Sequence, residues 1–273
     1  MVRKEQVKIL LALFLAVLGA TGAVAIVYGA ITVKRLPSPD QFGSRQIKQS
    51  TKIYDRTGEI LLYEIHGEEK RTVIPFEEIP SYLKSATLAA EDDGFYHRPA
   101  FDWKAIVRAF LANLKAGRIV QGGSTITQQL ARNVFLTPKR TLDRKFKELI
   151  LAIELESKYT KDQIFSFYLN QVPYGSNAYG VEAASFTYFN KSARDLDLAE
   201  AAVLAGLTKA PSYYSPWGSH EKELFERQRY VLDRMAELNL ITPRRKKIRP
   251  KRKNKVRAAV SRRHKSPSFF FGC

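Results

Sequence analysis

With 273 residues, 45% of them hydrophobic and 11% aromatic, the chain can bury the core of one large domain or two small ones, which excludes a disordered protein. Its single cysteine, Cys273, excludes an internal disulfide and any cysteine-based metal centre, and the four histidines (His66, His97, His220, His264) are scattered. The net charge of +18 is uneven: thirteen Lys and Arg and no acid lie between Arg244 and Lys265, leaving 32 basic against 27 acidic residues elsewhere, so nucleic-acid binding is not expected of the body.

Residues 1–8 form a short basic leader. Ile9 to Val33 then gives 25 consecutive uncharged positions, against the roughly 20 that cross a bilayer as a helix. A cleavable signal peptide competes, since Ala23-Val24-Ala25 fits a small-residue cleavage site. The sequence beyond it stays apolar, and an uncleaved anchor over 9–33 is the reading adopted. Arg3, Lys4 and Lys8 before the span favour a cytoplasmic N-terminus, which puts everything from Lys34 onward on the outer face of the cytoplasmic membrane. In the linker 34–79, Thr51 to Tyr54 and Glu59 to Ile65 read as a hairpin around Asp55-Arg-Thr-Gly58, and Thr72 to Ile74 reads as a third short strand.

From Pro80 the pattern turns helical, and residues 80–243 are expected to form one mainly α domain. Pro80 opens a helix over Ser81 to Ala90. Asp102 can cap Trp103 to Ala116, whose apolar stripe suits a core helix or a segment dipping into the membrane. Ser124 can cap Thr125 to Phe135. Leu142 to Ser157, Lys161 to Asn170, Gly180 to Phe189, Leu198 to Thr208 and Glu221 to Leu240 complete the predicted helices, with no internal repeat.

Chemistry concentrates in two stretches. Glu91-Asp-Asp-Gly-Phe-Tyr-His-Arg-Pro-Ala-Phe-Asp102 places acids where an apolar helix runs into an aromatic turn, a position for a working carboxylate as well as for solvated surface acids. Between Lys115 and Lys147 stand eight basic residues and one acid, Asp143. Within them Gly122-Gly-Ser-Thr125 offers backbone N–H groups and hydroxyls at a helix start, either as a cap or as a seat for phosphate oxygens. Gln128, Gln129 and Arg132 follow on the same helix. In the next, Arg144 and Glu148 share a face with Lys145 beside them, either as a surface ion pair or as a carboxylate kept ionised in a cationic site.

Glu91-Asp92-x-x-Phe95, Gly122-Gly-Ser-Thr-Ile-Thr-Gln-Gln-Leu-Ala-Arg-Asn133, Arg144-Lys145-x-x-Glu148-x-x-x-Ala152-x-x-Leu155-Glu156, Lys161-x-x-Ile164-x-x-x-Tyr168-Leu-Asn170 and Arg227-x-x-x-Val231-Leu232-x-x-Met235 resemble, in order, the five motifs of glycosyltransferase family 51. This is the peptidoglycan glycosyltransferase module of class A penicillin-binding proteins and monofunctional transglycosylases. The resemblance implies a lysozyme-like, two-lobed helical fold whose substrates are lipid II and the growing glycan chain. It implies Glu91 as general base and Glu148 as an assisting carboxylate at the diphosphate. Asp92, Phe95, Ser124, Thr125, Gln129, Arg132, Asn133, Arg144 and Lys145 are the implied substrate-binding residues. A divalent cation near Glu148, Mg2+ or another, is an expected cofactor, and no organic cofactor is expected. Membrane lipids and other cell-wall synthesis and division proteins are the remaining expected partners.

The chain departs from that pattern in its first motif, where Arg98 and Ala100 stand in place of a usual His and Gly. Rival readings are a lysozyme-like glycan-cleaving enzyme and a non-catalytic copy. The transpeptidase signatures are missing, since Ser81-Tyr-Leu-Lys84 and Ser219-His-Glu-Lys222 match its first pattern only by chance. The basic stretch 244–273 reads as a disordered tail or as the out-of-frame end of a longer bifunctional enzyme, a lipid-binding tail being the alternative.

Overall fold

The computed structural model describes residues 51–54, 61–65, 70–100, 124–137 and 141–242, together with a few isolated positions. The predicted anchor over 9–33 lies outside them apart from Gly19 and Thr32, as do most of the predicted helix Trp103 to Ala116, Gly122-Gly123 and the tail 244–273. Among the described residues no helix is long and apolar enough to cross a membrane.

The described chain is mainly helical, as expected. β1 (Thr51–Tyr54) and β2 (Leu61–Ile65) pair antiparallel, with Ile53 opposite Tyr63 and a bulge after Ile53. The third strand is displaced from the prediction: β3 is Lys70–Arg71, and Thr72 to Ile74 is not a strand. The reason lies in Asn170, whose Oδ1 accepts from the Ile74 N–H at 3.1 Å and whose Nδ2 donates to the Ile74 carbonyl at 3.1 Å, so one side chain satisfies the backbone a neighbouring strand would have paired. β3 runs parallel to β5 (Ala178–Tyr179), which pairs antiparallel with β4 (Pro173–Gly175). The β4–β5 turn puts Ser176 and Asn177 at φ 51° and 58°.

Seven α-helices appear among the described residues. α1 (Ser81–Glu91) starts at Pro80 and ends where Asp92 leaves helical geometry at φ −161°. α2 (Ile126–Phe135) begins one residue later than predicted, because Thr125 rather than Ser124 is the cap, its hydroxyl accepting from the Gln128 N–H at 3.2 Å. α3 (Leu142–Lys158) is capped by Thr141, and α4 (Lys161–Gln171) by a reciprocal box of Thr160 and Gln163. α5 (Val181–Phe189), α6 (Leu198–Leu207) and α7 (Glu221–Glu237) follow.

Two apolar cores meet at α6. The larger gathers Leu83, Phe95, Leu130, Leu151, Phe165, Leu169 and Leu204 from α1 to α6, and the smaller joins Ala86 and Ala89 of α1, Ala202 and Ala205 of α6 and Val231, Leu232 and Met235 of α7. Small residues on α6 let its neighbours approach closely. A Cβ added to Gly206 would stand 3.1 Å from Arg227 Cγ. That approach brings the middle of α7 to the C-terminal end of α1, where Glu91 sits.

Candidate active site

Glu91 is the last residue of α1, and its side chain is only 10% exposed. Three elements hold its carboxylate. From α2 the Gln129 Nε2 donates to Oε2 at 2.8 Å; from the end of α6 the Thr208 hydroxyl donates to Oε1 at 2.7 Å; and from α7 the Arg227 guanidinium stands 4.0 Å from Oε1 while donating to the Ala90 carbonyl at 3.2 Å. Tyr168 lies behind this cluster, fully buried, its hydroxyl 3.4 Å from Gln129 Oε1. Burial and the nearby Glu91 charge push the Tyr168 phenol well above its ordinary range, and the same two causes raise Tyr174.

Asp92 faces the opposite way, into the protein. Its Oδ2 accepts from the Ile126 N–H at 3.1 Å, at the start of α2, and its Oδ1 accepts from Arg98. Burial raises the Asp92 carboxyl above its usual range, against the lowering pull of the Ile126 N–H and Arg98. The departures from the family pattern are thereby accounted for. Arg98 folds back over Gly94, where an added Cβ would stand 2.2 Å from Arg98 Nε, and its backbone carbonyl accepts from Lys161 at 2.8 Å. Ala100 is buried and its carbonyl accepts from Gln128 Nε2 at 3.1 Å, whereas His97 is exposed and joins the turn through its backbone N–H, which donates to the Gly94 carbonyl at 2.9 Å. Phe95 is 2% exposed and packs its ring 5.7 Å from that of Phe165, so it supports the loop from beneath.

The second carboxylate is Glu148, 1% exposed on α3, with Arg144 Nε 3.1 Å from Oε1 and Lys145 Nζ 2.8 Å from Oε2. Lys145 also donates to the Ser124 hydroxyl at 2.6 Å and lies 3.4 Å from Gln128 Oε1. Thus Ser124, displaced from its predicted capping role, is tied to the cationic cluster, while Thr125 is buried as the cap. Arg132 is half-buried and within 3.5 Å of the exposed Asn133. Adjacent residues of α2 therefore serve the two acids, Gln129 reaching Glu91 and Gln128 reaching the Lys145–Glu148 pair. Among the described residues no group of three or more His, Cys, Asp and Glu side chains is placed to hold a metal ion.

A family model described as Transglycosylase matches residues 58–236. The chain belongs to the transglycosylase family. It is 46% identical over 233 residues to Penicillin-binding protein 1A of Aquifex aeolicus, an alignment covering 83% of this chain and 32% of the relative. It is 42% identical over 221 residues to Penicillin-binding protein 1A of Neisseria gonorrhoeae, covering 81% and 27%. The chain thus spans about a third or less of the length of these curated relatives. Against the crystal structure of Penicillin-Binding Protein 1A from Haemophilus influenzae, 79% of this chain aligns with 21% of that one at 24% identity and a TM-score of 0.39.

For this transglycosylase chain, the predicted site residues resolve into groups. Glu91 and Gln129 meet directly, as do Ser124, Arg144, Lys145 and Glu148; Asp92, Phe95 and Thr125 form the wall behind them. Sequence reasoning missed three residues that touch this cluster: Thr208, Tyr168 and Arg227. Tyr168 and Arg227 stand inside the fourth and fifth motifs, whose spacing marks them without assigning either a role. Thr208 carried none.

Proposed function

We propose that this transglycosylase is a peptidoglycan glycosyltransferase that polymerises lipid II into β-1,4 glycan strands, anchored by one span in the cytoplasmic membrane with its helical domain on the outer face. The observation that carries this reading is the presence of two unlike carboxylates: Glu91, partly buried and hydrogen-bonded by the neutral Gln129 and Thr208 with one guanidinium at 4.0 Å, and Glu148, buried against two cations. In the proposed reaction Glu91 takes the proton from the 4-hydroxyl of the acceptor's GlcNAc as that oxygen attacks the anomeric carbon of the donor's MurNAc. The α-linked lipid diphosphate leaves, and the new bond forms with inversion. Arg132, Arg144, Lys145 and the Ser124 hydroxyl are assigned to the diphosphate oxygens.

The composition of the site suits transfer better than hydrolysis. A diphosphate leaves as a stable anion, so the site needs cations and one base. A glycoside hydrolase expels an alkoxide and needs a protonated carboxylic acid in a poorly charged pocket. Glu148 meets Arg144 and Lys145 with its two oxygens, and a single carboxylate already paired with two cations does not fit a divalent metal. The mechanism proposed here takes no step through one. Growing glycan, membrane lipids and other cell-wall synthesis and division proteins are the partners this reading assigns, with no nucleic acid among them.

The test is to incubate the purified full chain with lipid II and follow both products, glycan and lipid diphosphate. Glu91→Gln is expected to lower polymerisation to below a few per cent while lipid II binding largely survives, because the amide keeps the shape and cannot accept the proton. Turnover retained in that variant removes Glu91 as the base, and sugar released without lipid diphosphate refutes transfer altogether.

A further inference from the structure

A threonine at a helix end that donates to the carbonyl three residues back is ordinarily just satisfying an orphan acceptor. Thr208, at the C-terminal end of α6, makes that bond to the Ala205 carbonyl at 2.8 Å. The same Oγ1 also lies 2.7 Å from Glu91 Oε1, a residue 117 positions away in sequence. A hydroxyl has one hydrogen, and both of these neighbours are acceptors while Glu91 is ionised. The hydrogen must therefore choose between them.

The two choices differ in strength according to the charge on Glu91. An ionised carboxylate forms a charge-assisted bond about twice as strong as one to a neutral carbonyl, so the hydrogen rests on Glu91 Oε1. Once Glu91 is protonated that advantage vanishes, and the Ala205 carbonyl in the last turn of α6, an amide oxygen, becomes the better acceptor than the neutral carboxyl. Gln129 faces no such choice, because its amide carries two hydrogens and its contact with Glu91 Oε2 has no competitor for the one it uses. The Tyr168 hydroxyl, fully buried and 3.4 Å from Gln129 Oε1, backs the amide that holds the other carboxylate oxygen in place.

Resting on the reading of Glu91 as the base, we propose that Thr208 is a positioning residue that exchanges partners as Glu91 gains and loses its proton. In the step it serves, the acceptor's O4–H bond breaks and the proton passes to the Glu91 carboxylate. The O4 electron pair forms the bond to the anomeric carbon, and the electrons of the cleaved C1–O bond leave on the diphosphate oxygen. The Thr208 hydrogen then turns from Glu91 Oε1 to the Ala205 carbonyl. When Glu91 returns its proton to solvent, the hydrogen swings back and re-seats the carboxylate for the next addition.

The experiment compares T208V, T208A and T208S with the unaltered full chain in lipid II polymerisation, with melting measured for each and E91Q assayed alongside. Loss of one charge-assisted bond made to the base predicts that T208V and T208A lower kcat about tenfold. KM is expected within about twofold, because Thr208 touches no binding group, and T208S is expected to recover most of kcat. A structural role alone would lower melting in T208V and T208A without the split between kcat and KM. The proposal is overturned if the two hydroxyl-free variants keep kcat within about twofold, or if T208S is as slow as T208V while equally stable. An inactive E91Q beside an unimpaired T208V leaves the base reading intact and sinks only this proposal; an active E91Q sinks both.

Discussion

Arg98 is where this chain departs from its family's first motif, and removing it tests what it does. Its guanidinium caps Asp92 Oδ1 and lies 3.5 Å from Asp93, while Asp92 itself is almost wholly buried, its side chain 3% exposed. In Arg98→Ala the Asp92 carboxylate keeps only the Ile126 N–H at 3.1 Å. Breaking a buried pair costs about 3–5 kcal/mol, but the Arg98 side chain is 30% exposed, so water re-enters the vacated side and the expected loss is nearer 2 kcal/mol. For a domain of this size that is a fall in Tm of about 4–8 °C. The loss also has a pH signature. Because burial holds the native Asp92 carboxyl above its usual range, the native state takes up a proton there before the unfolded chain does. The contribution of Asp92 to stability is therefore fullest below the unfolded aspartate range and declines as pH rises through the higher native value. Without Arg98 the ionised form is costlier still, so the difference between variant and parent is largest near neutrality and shrinks in acid. Denaturation of both proteins across that range checks this. A loss below about 0.5 kcal/mol at neutral pH, or one that grows as pH falls, refutes the claim that Arg98 stabilises a buried anion.

Lys145→Ala is expected to raise the KM for donor and to flatten its dependence on salt, since the ammonium bridges Ser124, Gln128 and Glu148 in the cationic cluster. Its side chain is 48% exposed, so stability should change by less than about 1 kcal/mol, and a variant that unfolds instead assigns Lys145 a structural role. Asn170→Ala should act on stability alone. It strands the buried N–H and carbonyl of Ile74 and a third bond to the Ser166 carbonyl at 3.0 Å, for an expected loss of about 3 kcal/mol in urea unfolding. An Asn170→Ala protein of parental stability would show that the Ile74 segment finds other partners.

Much of this architecture is written locally. α3 is legible because its apolar positions repeat at helical spacing behind a Thr141 cap, and α6 because a run of Ala, Val and Leu starts at Asp197 with Glu200 completing a capping box. The failures occur where a distant group supplied what the local pattern seemed to require. Ile74 has a β-branched neighbourhood suited to a strand, and Asn170, 96 residues on, takes the strand's place. Ser124 and Thr125 are chemically equal candidates for one cap; Lys145 decides between them by engaging the Ser124 hydroxyl at 2.6 Å and leaving Thr125 to cap. The short parallel pairing of β3 with β5 has too few residues to leave any periodicity at all.

The same division runs through the site. Acids and cations were readable because their types and spacing carry the chemistry, whereas the groups that hold Glu91 in place come from the ends of elements that only packing brings together. Arg227 reaches the C-terminal end of α1 because Gly206 and Ala205 let α7 lie close on α6, and Arg227 Cγ would stand 3.1 Å from a Cβ at position 206. A methyl there would require the stem of Arg227 or α7 to give by a few tenths of an ångström, a shift passed on to the 4.0 Å approach of Arg227 to Glu91. The smallness of one α6 residue is thus part of the geometry of the base, although it carries no chemistry of its own. That is why a list of reactive side chains, however complete, falls short of the site: Gln129, Thr208 and Arg227 reach Glu91 only because residues that take up little room let their helices lie close.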